Sequence, residues 1–119
     1  MQFDVYDNKN ASTKKRFQYL LDVQADILSS LETRVVIPLS VETESREIIL
    51  TQLMPVLPVK GRQHVAITPQ MAGVPVRELN GPVENLSRFR TEIIGALDML
   101  VTGDCEIPRG ISQSPDPLL

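Results

Sequence analysis

The chain has no tryptophan, one cysteine and one histidine among its 119 residues, and each shortage closes off a class of chemistry. A single thiol, Cys105, allows no intramolecular disulfide and no cysteine-clustered metal site. His64 stands alone inside a run that reads as a strand, where an imidazole is more often structural than a general base. Asp22, Asp26 and Glu32 flank apolar runs in the manner of solvated acids. No glycine-rich loop of phosphate-cradling pattern occurs. The expectation is a protein with no catalytic residue, no metal and no cofactor.

Long apolar runs are also missing. None approaches the roughly 18 residues that span a bilayer, and Met1 to Tyr6 lacks the basic and apolar regions of a secretory signal. A cytoplasmic protein with no membrane contact is expected. A net charge of −3 argues against the phosphate-neutralising contact on which direct nucleic-acid binding depends. Lys14-Lys15-Arg16 is the sole basic run, and its polar setting reads as a solvated loop.

What is present is the make-up of a globular domain, 42% hydrophobic and 23% charged. Alternation of apolar and polar residues predicts strands over residues 2–6, 19–24, 34–39, 56–59, 64–68 and 74–79, with Pro38 closing the third. Lys60-Gly61-Arg62 and Asn80-Gly81-Pro82 supply turns. Residues 40–53 follow neither the strand nor the helix period and read as a loop with one helical turn. Leu86, Phe89, Ile93, Leu97 and Leu100 fall on one face of a helix over 86–101, stopped by Thr102-Gly103. Asn85 or Ser87 can cap its start, and Glu92 can pair with Arg88. The fold class is mainly β with one C-terminal α-helix, in a domain over 1–103. Residues 104–119, with Pro108, Pro115 and Pro117, read as a flexible tail.

Two features point to action by contact. Ile94 and Val101 are apolar residues beyond those the helix needs for its inner face. Ile27 and Leu28 are adjacent, so in an extended chain they point to opposite sides and one faces away from the core.

Met1-Gln2-Phe3-Asp4-Val5-Tyr6, Leu21-Asp22-Val23-Gln24-Ala25-Asp26-Ile27-Leu28, Val36-Ile37-Pro38-Leu39, Met71-Ala72-Gly73-Val74-Pro75-Val76 and Leu86-Ser87 together, in this order and spacing, resemble the CcdB family. These are the toxins of plasmid-maintenance and chromosomal toxin–antitoxin pairs that poison DNA gyrase. The resemblance covers residues 1–103, with a slightly longer loop near 8–18. It implies a homodimer of SH3-like barrels, each with a small additional sheet, and no catalytic site. The dimer would bind the gyrase A subunit and trap the cleaved DNA–gyrase complex, and a CcdA-like antitoxin would neutralise it.

Carried over by position, the resemblance assigns gyrase contact to Ile27, Leu28, Asp98, Val101, Thr102 and Gly103. It assigns antitoxin contact to Asn8, Lys9, Lys14, Lys15, Arg16, Glu42 and Arg46. Asp98 stands where the family commonly has Asn, and Thr102 where its best-known branch has Trp, although Thr also occurs there. The family ends one residue after Gly103, with an apolar residue where this chain has Asp104. Two other functions suit the same barrel: an endoribonuclease toxin, and a chromosomal relic that binds antitoxin without poisoning gyrase.

Overall fold

The computed structural model describes residues 1–41 and 48–103. Its strands are β1 (Asp4–Asp7), β2 (Tyr19–Asp22), β3 (Thr33–Val41), β4 (Val56–Val59), β5 (Arg62–Ala66), β6 (Ala72–Pro75) and β7 (Glu84–Asn85). Two α-helices accompany them, α1 (Ile48–Leu53) and α2 (Arg90–Thr102). The sheet runs β4-β5-β3-β2-β1-β7, with β6 also paired to β3, and every pairing is antiparallel. It curls into a nearly closed barrel of SH3-like form. The two ends of the strand order meet where the Lys60 N–H, in the β4–β5 turn, donates to Glu84 Oε1 on β7 at 2.7 Å.

β3 organises the barrel. One edge pairs with β2 through residues 36–39; the other pairs first with β6 through 33–36 and then with β5 through 39–41. Pro38 therefore lies inside the strand, not at its end. It is tolerated because its missing N–H falls in the gap where β3 changes partner. Cross-strand register stacks Val5, Leu21 and Ile37, all essentially sealed from solvent, into one row, and Leu39, Leu57, Val59, Ala66 and Phe3 extend the core. Each large aliphatic side chain buried in this way contributes roughly 1.5–3 kcal/mol.

Several boundaries differ from the sequence pattern, each for a local reason. β1 starts only after Phe3, whose positive φ of 71° turns the chain; its N–H donates to Asp22 O and its carbonyl accepts from Leu86. The β4–β5 turn needs two left-handed residues, Lys60 and Gly61, and this sets Arg62 opposite Val59, so β5 begins at Arg62 and ends at Ala66. The strand expected over 74–79 is instead Ala72–Pro75, followed by a 3-10 turn at Val76–Glu78, with the Val76 N–H turned to Glu32 O.

The C-terminal helix opens as a 3-10 turn, Ser87–Phe89, before α2 proper. Leu86 occupies the cap position and its side chain makes no capping bond, so neither Asn85 nor Ser87 is the cap; Asn85 Oδ1 accepts the Ser87 N–H at 2.9 Å from one position earlier. Arg88 reaches back to Glu84 at 3.5 Å, not forward to Glu92. Gly103 ends α2 in the left-handed conformation and returns its N–H to Met99 O. Leu86, Ile93 and Ala96 are the buried residues, with Phe89, Ile94 and Leu97 packed at the core's margin. Leu100, expected on the inner face, is 36% exposed. Ile94 belongs to the core margin and is not surplus to it.

Candidate functional site: two exposed apolar patches on a nearly closed barrel

The chain leaves the β2–β3 ladder at Val23, and a 3-10 turn follows at Asp26–Leu28. Ile27 and Leu28 are thus not extended with one side chain inward: Ile27 is 88% exposed and Leu28 45%. Leu31, also exposed, extends the patch; it escaped the sequence pattern because it is a single apolar residue in a polar stretch. The turn is closed by Leu28 N–H to Ala25 O, Ser29 N–H to Asp26 O and Leu31 N–H to Leu28 O. A hydrogen-bonded frame thus holds large apolar side chains out in water, which makes the turn a candidate contact surface.

Polar groups hold the frame from beneath. Asp22, expected to be solvated, is fully buried and paired with Arg34, whose Nη2 lies 2.9 Å from Oδ2. Asp22 sits opposite Val36, so Arg34, two residues along β3, projects on the same face and reaches it diagonally. Arg34 also donates to Gln24 O and comes within 3.7 Å of Asp26, whose Oδ1 accepts the Gln2 N–H at 2.8 Å. Tyr6 packs beside this cluster. Burial, reinforced by the Asp4 and Asp22 carboxylates, pushes its phenol above the ordinary value.

The second patch is the end of α2. Val101 is 73% exposed, and Asp98, Leu100, Thr102 and Gly103 are exposed beside it. The Thr102 hydroxyl folds back to donate to Asp98 O at 2.8 Å. Phe3 links the foot of the turn to the start of α2: its N–H donates to Asp22 O and its ring lies under the Arg90 guanidinium. Val101 stands eleven residues further along, about 16 Å at the helical rise.

The loop over residues 8–17 forms a third feature. Lys9, Lys14, Lys15 and Arg16 are exposed, whereas Asn8 is buried: its amide donates to Thr13 Oγ1 and Phe17 O, and its Oδ1 accepts the Asn10 N–H. Asn8 shapes the loop that the four cations decorate. Between this loop and β6 runs a groove of about 240 Å³ floored by Leu20, Val36 and Pro38. Glu42, Arg46, Cys105 and the expected tail lie outside the described residues.

His64 is buried, with Nδ1 2.9 Å from Arg62 O and its ring edge-on to Tyr19. This is the structural setting expected of it. Among the described residues no group of three or more His, Cys, Asp or Glu side chains could hold a metal ion. No helix among them is long and apolar enough to cross a membrane. The sequence profile of a family described as CcdB protein matches residues 2–103, a span that contains both apolar patches and the basic loop.

Proposed function

The chain belongs to the CcdB family, the toxins of toxin–antitoxin pairs, and we propose that it acts as a homodimer that binds the DNA gyrase A subunit. It traps the cleaved DNA–gyrase complex and is neutralised by a CcdA-like antitoxin in the cytoplasm. It inhibits a topoisomerase by contact and catalyses no reaction of its own. The observation that carries this reading is Ile27, a large apolar side chain 88% exposed on a turn closed by its own hydrogen bonds. Residues 1–103 form the toxin domain in this reading.

The gyrase surface comprises Ile27 and Leu28 on the turn, and Asp98, Val101, Thr102 and Gly103 at the helix end. The antitoxin surface comprises the loop shaped by Asn8 and bearing Lys9, Lys14, Lys15 and Arg16, together with Glu42 and Arg46. Four cations on one short loop suit an acidic partner segment. A purified gyrase A fragment tests the proposal: saturable binding at micromolar protein is expected, and no binding there overturns it. A second reading, antitoxin binding without gyrase poisoning, draws support from Thr102, whose small side chain is turned back onto the helix and offers little contact area. Growth arrest on expression without antitoxin excludes that second reading.

A further inference from the structure

The Asp26–Leu28 turn buries none of its own side chains, so packing against the core does not fix its shape. The structure shows what does. In a continued β2–β3 ladder, Val23 and Val35 would exchange two main-chain hydrogen bonds. Only one is made, from Val23 N–H to Val35 O at 3.0 Å. The Val35 N–H donates instead to Gln24 Oε1 at 3.1 Å, while the Val23 carbonyl accepts from Gln2 Nε2. The other end of the same Gln24 amide donates through Nε2 to Leu28 O at 3.2 Å. Its main chain is tied down as well, with N–H to Asp22 Oδ1 at 3.0 Å and O receiving Arg34 Nη2 at 3.2 Å.

We propose that Gln24 is the positioning residue of the Ile27–Leu28 contact surface, a buried amide that clamps the exposed turn to strand β3 and so presents Ile27 in its binding geometry before the partner arrives. The chemistry requires an amide: one end must accept from Val35 and the other must donate to Leu28, and a carboxylate of the same shape can do only the first. A surface held in advance loses less freedom on binding than one ordered by the partner. The consequence for affinity rests on the gyrase reading above; the clamp itself does not.

The test uses the full chain in four forms, wild type, Gln24→Glu, Ile27→Ala and the double variant, with Gln24→Met as a second probe should the glutamate impair folding. Amide hydrogen exchange is read first: Ser29 and Leu31 exchange about tenfold faster in either Gln24 variant while Ile37 in β3 is unchanged. Binding to the gyrase A fragment is read second: Gln24→Glu weakens it about tenfold in the wild-type background and less than about threefold in the Ile27→Ala background, since the clamp acts through that side chain. Additive losses, or wild-type exchange in the turn, overturn the proposal. If Ile27→Ala alone leaves affinity unchanged, the gyrase reading falls, and the exchange arm still decides whether Gln24 holds the turn.

Discussion

Arg34 places both Nε and Nη2 on one oxygen of Asp22, at 3.0 and 2.9 Å, and leaves the other oxygen to accept the Gln24 N–H. Both side chains are buried, so the pair is unscreened and each partner depends on the other. Arg34→Met leaves the buried Asp22 carboxylate with only the Met1 ammonium, 3.5 Å from its Oδ2, as counter-charge, and is expected to cost about 3 kcal/mol, read by urea denaturation. Adding Asp22→Asn should recover most of that loss, because the asparagine is neutral and its Oδ1 still accepts the Gln24 N–H. A double variant no more stable than Arg34→Met alone would show that the charge was not the cost.

Tyr6 gives the fold a dependence on alkaline pH. Burial first, and then Asp4 and Asp22, raise its phenol above the ordinary value of 10.0. The folded chain therefore holds the phenolic proton more tightly than the unfolded chain. The corresponding stability is present in full below the unfolded value and is lost as pH rises through the folded one. Denaturant unfolding between neutral pH and pH 11 should show wild type losing stability relative to Tyr6→Phe above about pH 10. Parallel curves for the two proteins would remove Tyr6 from the account.

Helix α2 separates two leucine-sized positions that look alike in sequence. Ile93→Ala empties a site that is 1% exposed and should cost about 2–5 kcal/mol. Leu100→Ala, at a position 36% exposed, should cost less, about 1 kcal/mol. Equal losses in thermal unfolding would mean that the last turn packs more tightly than its exposure indicates.

That contrast also shows which parts of the molecule are legible in the sequence. Strand alternation and the three-and-four spacing of the helix are local, so β4 and the Gly103 stop can be read directly from neighbouring residues, whereas the strand expected over 19–24 ends at Asp22. Leu100 fits the same period and is nonetheless 36% exposed, because how much of a helix face the rest of the fold covers is not a local property. Asp22 reads as a solvated acid because its partner, Arg34, is twelve residues away and is brought to it only by the β2–β3 register. Ala96 is buried yet too small to register as part of an apolar stripe. Ile27 and Leu28 stand out in the sequence as an unsatisfied apolar pair, but the 3-10 turn that exposes both depends on the amide of Gln24 and its reach to β3. The exposed apolar pair is thus visible from the chain, and the framework beneath it is not.

If the exposed apolar residues serve contact and not stability, function and folding should separate cleanly at them. Ile27→Ser and Val101→Ser remove side chains that are 88% and 73% exposed, so each should leave unfolding stability within about 0.5 kcal/mol of wild type. Each should nonetheless weaken binding to the gyrase A fragment, by about thirtyfold if the residue is an anchor of the interface. Charge reversal at Lys14 and Lys15 gives the opposite selectivity: antitoxin binding weakens, chiefly through a slower association that depends on salt, while gyrase binding holds. The comparison is decisive because all four substitutions lie on exposed positions of the same fold. Loss of both partners from any one of them would mean that the two surfaces are a single site, and retention of gyrase binding in both serine variants would remove the apolar patches from the mechanism.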